Sequence, residues 1–168
     1  KEKLVPFLPI SRVSQQKDGS FFLNYDYPDS VGYIASFYGN FALLLRAYAY
    51  ILLLGKEGLK EVSHHAVLNA NYIKEQLKAY YHLPYDRLCM HECVFSAQKQ
   101  AQRGVRAMDI AKYLIDQGIH PPTVYFPLTV KEALMIEPTE TESKSAMDEF
   151  IALMKKVDQL SQEDPTMF

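Results

Sequence analysis

Chemistry in this chain would have to come from its histidines, its two cysteines and a few charged side chains at the ends of elements. Cys89, His91 and Cys93 alternate, so on a strand all three share one face and suggest a metal site. Geometry argues against it. At ~3.3 Å per residue the outer two stand ~13 Å apart, whereas zinc needs every ligand within ~2.3 Å. No metal is expected. The same separation exceeds the ~7 Å that a disulfide allows between Cα atoms, which points to free thiols and a reducing, cytoplasmic setting. His91 and Glu92 form a titratable pair where a strand could meet a pocket, although strand neighbours point to opposite faces. A satisfied, half-buried imidazole beside a solvated carboxylate accounts for the same residues equally well.

The remaining motifs are individually bland. Ser14 to Lys17 and Ser96 to Lys99 match the serine–lysine spacing of penicillin-recognising acylases, but the companion elements are absent and the pattern is discarded. There is no Walker loop, dinucleotide glycine loop or nucleophile elbow. His64-His65 falls mid-helix on a polar side and reads as surface. Tyr38-Gly39-Asn40 stands at the mouth of an apolar helix, where backbone N–H groups and the positive dipole end suit an anion; a plain helix start explains it too. Arg106, ahead of another helix, is either a bidentate anion clamp or a surface arginine.

The elements that must position these residues follow from periodicity and punctuation. Residues 1–32 read as an extended arm with a hairpin, its turn at Asp18-Gly19 and its second strand at Phe21 to Tyr25. Residues 33–160 read as one small α+β domain. Asn40 is the expected N-cap of an apolar helix from Phe41 to Leu54, stopped by Gly55. An amphipathic helix runs from about Gly58 to Tyr81, with Leu59, Val62, Ala66, Ala70, Ile73 and Leu77 inward and Lys74 outward. A strand is expected over Leu88 to Ser96, a polar loop over Gln98 to Gly104, and a helix over Ala107 to Gln117 with Met108, Ala111, Leu114 and Ile115 inward. Thr123 to Phe126 and Leu134 to Ile136 read as paired strands. Thr139 then caps, through a box closed by Glu142, a helix carrying Met147, Phe150, Ile151, Met154 and Val157. Residues 161–168 are expected to fray.

At 168 residues, with 48% hydrophobic and 23% charged residues, the chain suits one well-buried core. A formal net charge of -2 leaves no electrostatic footprint for nucleic acid. The most apolar segment, about 14 residues with Arg46 inside it, falls short of the ~20 that span a bilayer. The chain does not begin with Met, and it reads as a fragment or a processed product.

Five motifs in register carry a family resemblance: Phe37 to Asn40, Gly58 to Val62 with Ala66 to Tyr72, Met90-His91-Glu92, Gly118 to Thr123, and Met135 to Glu142. Together they resemble the P-protein of the glycine cleavage system, the pyridoxal-phosphate-dependent glycine decarboxylase, and in particular subunit 2 of its split prokaryotic form. Cys93 departs from the aromatic residue more usual after His-Glu. No His-Lys dipeptide is present, so the resemblance covers the C-terminal part, and the lysine that forms the cofactor Schiff base is not in this chain. What it implies is the small domain of a fold-type-I pyridoxal enzyme, inactive alone, that takes CO2 from glycine and passes the aminomethyl group to a lipoyl carrier protein (H-protein). It further implies glycine dehydrogenase subunit 1 as partner, in a hetero-oligomer of two plus two subunits. His91, His120 and Thr123 become the expected pocket-facing polar groups with Arg106 behind them. Tyr38, Gly39 and Asn40 become the expected cofactor-phosphate side. The small domain of an aminotransferase or lyase, or a non-catalytic interaction module, is the alternative.

Overall fold

Asp18 accepts the Ser20 N–H at 2.9 Å, and Gly19 takes φ +89°, a left-handed conformation that glycine tolerates best. This turn joins β1 (Arg12–Gln15) to β2 (Phe21–Asn24), antiparallel with Arg12 opposite Asn24 and Gln15 opposite Phe21. The computed structural model describes residues 2–34 and 39–168. The chain divides into two units, Lys1–Leu53 and Leu54–Phe168.

In the first unit the Arg12 guanidinium donates to the Pro6 and Leu8 carbonyls and lies 3.9 Å from the centre of the Tyr27 ring, tying the arm to the hairpin. Asn40 caps as expected, its Oδ1 accepting the Ala42 N–H at 3.0 Å. The helix α1 (Phe41–Leu77) is interrupted at Gly55, whose φ of 64° is non-helical. Glycine therefore marks the expected break, with helix resuming immediately after it. Phe41, Leu44, Tyr48, Ile51 and Leu53 are all exposed.

The second unit holds the core. Beyond Gly55, α1 lays Ala70, Ile73 and Leu77 inward, and ends at Leu77 rather than at Tyr81. Lys74, expected to face solvent, is buried and donates to the Arg87 carbonyl at 2.8 Å. β3 (Cys93–Ser96) is half the expected strand; Leu88 to Glu92 is irregular. The short α2 (Gln98–Ala101) replaces the expected loop, as Ala97 C=O accepts the Ala101 N–H at 2.8 Å. In α3 (Ala107–Asp116) the buried face is Ala107, Ile110, Ala111 and Leu114, while Met108 and Ile115 are exposed. The inward stripe is thus shifted by about one residue from the expected one.

β4 (Thr123–Val124) and β5 (Ala133–Ile136) complete an antiparallel sheet of order β3-β5-β4. Helix α4 (Lys144–Glu163) covers it with Met147, Ile151, Met154 and Val157. Its N-cap is Ser143, which accepts the Ala146 N–H at 3.1 Å; Thr139 lies a turn earlier, its carbonyl accepting from Asn69 and from the Glu142 N–H. The capping box expected there does not form the helix start. Where the helix was expected to end near Leu160 it runs on to Glu163, and the Phe168 ring lies 5.0 Å from that of Tyr113. This is an α+β fold of helices on a small antiparallel sheet.

Two polar ties cross the core. Tyr81 donates its buried hydroxyl to the Met154 carbonyl at 2.8 Å, and burial, with the Asp158 charge behind it, pushes that phenol well above its ordinary pKa. Asp158 accepts from Gln100 at 2.6 Å and from Arg103 at 3.0 Å, joining α2 and its following turn to α4. Replacing Asp158 with Ala leaves Gln100 only the Tyr80 carbonyl and Arg103 only the Ser161 hydroxyl, and urea denaturation is expected to show a loss of about 1–3 kcal/mol. An unchanged midpoint would mean that the network adds nothing to stability.

Candidate functional site

Continuing the β3–β5 register past Cys93 opposite Ile136 would set Glu92 against Glu137 and His91 against Pro138. Like charges directly opposite repel, and proline has no N–H for the ladder. The chain therefore leaves the sheet at Cys93. Asn71 holds the departing segment, donating to the Cys89 carbonyl at 2.9 Å and accepting the Cys89 N–H at 3.2 Å. This detour brings His91, Glu92 and Glu137 together, with one polar atom of each within 4.8 Å of the others. His91 Nε2 lies 3.7 Å from Glu137 Oε1, and both side chains are about half exposed at 54% and 57%. The expectation that His91 and Glu92 point to opposite faces of a strand fails, because neither is on one.

A cleft beside this cluster is lined by Lys74, Cys89, His91, Glu92, Phe126 and Met135, among others. A second cleft is lined by His120, Pro121, Pro122, Glu137, Thr139 and Phe150, among others. Glu137 borders the second cleft and pairs with a residue of the first, so the two histidines share one carboxylate neighbourhood. Thr123 is exposed on β4 opposite Met135, which lines the first cleft. Arg106 lines neither cleft; it is exposed, and its backbone N–H donates to Asp109 at 2.9 Å to open α3. Glu132 reaches the same helix start, accepting the Ala107 N–H at 2.8 Å.

Gly39 and Asn40 belong to the first unit and are exposed at the start of α1; Gly39 has φ +84° and open space where a Cβ would stand. The Asn40 side chain accepts the Ala42 and Leu43 N–H groups at 3.0 and 3.4 Å, so an anion here would meet the positive helix end with the cap already in place. Tyr38 lies outside the described residues.

Residues 62–164 match the sequence model of a family described as glycine dehydrogenase, C-terminal domain. This chain belongs to that family. It is 52% identical over 167 residues to a probable glycine dehydrogenase (decarboxylating) subunit 2 of Caldanaerobacter subterraneus subsp. tengcongensis, covering 99% of this chain and 34% of the relative. Proteins of the same description from Listeria welshimeri and Halalkalibacterium halodurans are each 52% identical over 165 residues, again over 98% of this chain and 34% of theirs. The chain thus spans about a third of the length of the relatives it matches. In fold it resembles a crystallised glycine decarboxylase (P-protein) of the glycine cleavage system in inhibitor-bound form, with a TM-score of 0.67 at 19% identity over 94% of this chain and 37% of that one.

Within this glycine dehydrogenase C-terminal domain, sequence reasoning missed Glu137, Asn71 and Lys74 as parts of the site. Glu137 stands inside a stretch read as helix cap, and Asn71 and Lys74 inside an amphipathic pattern; Glu137 is far from the other two along the chain, so no local signal joins them. Among the described residues no helix is long and apolar enough to cross a membrane. Cys89 and Cys93 are free. Burial is the main cause that raises both thiol pKa values, and it pushes Cys93, buried on β3, up to about 12. Iodoacetamide at pH 8 should therefore alkylate Cys93 only after denaturation, with Cys89 labelled first in the native protein. Peptide mapping by mass spectrometry checks the order, and native labelling of Cys93 at the rate of a free thiol would contradict it.

Proposed function

We propose that this chain is the C-terminal part of a glycine decarboxylase subunit 2, which takes CO2 from glycine and passes the aminomethyl group to a lipoyl carrier protein. The observation that carries this reading is identity of 52% across 99% of the chain to relatives described as probable glycine dehydrogenase (decarboxylating) subunit 2. The subunit number in that description supports a partner subunit 1; an assembly of two plus two and a cytoplasmic location are part of the same proposal.

Pyridoxal phosphate, bound to a lysine outside these residues, would supply the electron sink for loss of the glycine carboxylate. This chain would supply the surroundings. Gly39 and Asn40, with Tyr38 before them in sequence, would turn the positive helix end to the cofactor phosphate, which would replace the Asn40 side chain at the first N–H groups. His91 would present its Nε2, 3.7 Å from Glu137 Oε1, to the cleft as the proton-handling imidazole. His120 would present a second imidazole to the cleft that Glu137 borders, and the Thr123 hydroxyl would offer a hydrogen bond near Met135. Arg106 is retained as a cofactor-side cation on its exposure and charge alone. No metal is assigned to the site.

The test uses the natural full-length protein with its partner subunit. Borohydride reduction, digestion and mass spectrometry should locate a pyridoxyl-lysine outside residues 1–168, and the assembly should exchange the carboxyl carbon of glycine with bicarbonate. His91→Gln should lower that exchange by at least about tenfold, the low end for loss of a general acid–base group. No tagged lysine and no exchange would overturn the proposal. A tagged lysine without glycine exchange would move the chain to another pyridoxal enzyme.

A further inference from the structure

We propose that Asn71 and Lys74 are positioning residues that set His91 against Glu137. The segment from Arg87 to Glu92 has no strand beside it, yet its backbone is held at three points, all from one face of α1. Asn71 Nδ2 donates to the Cys89 carbonyl at 2.9 Å and Asn71 Oδ1 accepts the Cys89 N–H at 3.2 Å. A side-chain amide thus offers one residue the donor and acceptor that a neighbouring strand would offer. Asn71 Nδ2 also donates to the Val67 carbonyl at 2.8 Å, one turn back on its own helix, which fixes the rotamer of the clamp.

Lys74, one turn further along, is 3% exposed and donates to the Arg87 carbonyl at 2.8 Å. Its remaining charge partner is Glu75 at 3.3 Å. A buried ammonium is costly to desolvate, and here it is spent on a loop carbonyl two residues before the one Asn71 holds. Two residues after Cys89 comes His91. On the other side Glu137 follows β5 directly, so its position is set by the sheet. The contact between His91 and Glu137 is therefore closed by a helix-borne clamp on one side and a strand end on the other, and the segment carrying the imidazole has no ladder of its own.

This inference rests on the reading of His91 as a site residue, and its test separates the two. In the full-length protein with its partner subunit, Asn71→Asp keeps the size and the acceptor but turns an oxygen toward the Cys89 carbonyl. Diethyl pyrocarbonate acylates accessible imidazoles, so freeing the His91 ring from the Glu137 side chain should raise its modification rate. The expected rise is about twofold or more, the scale of a half-exposed ion pair, with His64 and His65 unchanged as internal controls. Glu137→Gln should give the same rise, and the double variant no more than either alone.

Lys74→Met provides the second variant should Asn71→Asp fail to fold, with the same readout. In glycine–bicarbonate exchange, Asn71→Asp should cost activity in the wild-type background and nothing further in the His91→Gln background. An unchanged His91 modification rate in the folded variants overturns the positioning role. So do additive losses of exchange, which would mark a general structural effect. If the wild-type assembly shows no exchange at all, the decarboxylase reading falls, while the modification rates still decide whether Asn71 and Lys74 place His91.

Discussion

Every ladder in the three-stranded sheet passes through β5, and β5 has only four residues to give, Ala133–Ile136. Glu132 bounds it on one side with φ 48°, and Pro138 bounds it on the other two residues beyond its end. A central strand this short rations pairing to both neighbours. β3 can run only from Cys93 to Ser96 and β4 only from Thr123 to Val124. The loops that leave the sheet at those points carry His91 and follow His120, so the limit on strand length is also what frees the polar groups from the ladder. Loops set on a rigid scaffold are where binding and catalytic groups usually lie.

The scaffold is rigid for ordinary reasons. Phe95, Leu114, Leu134 and Met154 are fully buried, each contributing roughly 1.5–3 kcal/mol by removal from water. Long-range polar ties then fix the layers in register: Tyr81 to Met154, Asp158 to Gln100 and Arg103, and Glu132 to the start of α3. Among these groups Gln100 Oε1 is buried with no hydrogen-bond partner, a local cost carried by an otherwise satisfied network. The residues from Phe41 to Leu53 differ in kind. They are apolar nearly all round the helix and exposed, a surface of the sort that marks an interaction site.

Membership of the glycine dehydrogenase C-terminal family and the geometry around His91 bear on each other without being the same finding. The family match spans residues 62–164, which contain Asn71, Lys74, His91, His120 and Glu137. The phosphate-side candidates Gly39 and Asn40 precede that span and sit in the other unit. The two groups of residues therefore stand on separate structural evidence, one on a clustered set of side chains, the other on a helix start capped by Asn40.

What the sequence by itself determined is whatever local rules govern. The hairpin at Asp18-Gly19, the cap at Asn40, the break at Gly55, the core stripes of α1 and α4 and the order of elements after Leu88 are all set by residues within a few positions of one another. The α+β class follows from that order. What only the tertiary structure decided depends on partners distant in sequence. Leu88 to Glu92 looks like strand because its own residues favour one, and it is not strand because the register places Glu137 and Pro138 opposite. Lys74 looks exposed because it is charged, and it is buried because a loop carbonyl 13 residues away accepts its hydrogen bond. Ser143 caps α4 where Thr139 was expected to, as Asn69 already holds the Thr139 carbonyl from 70 residues away. Periodicity records which face of an element is apolar; it carries no record of which backbone group a distant side chain will claim.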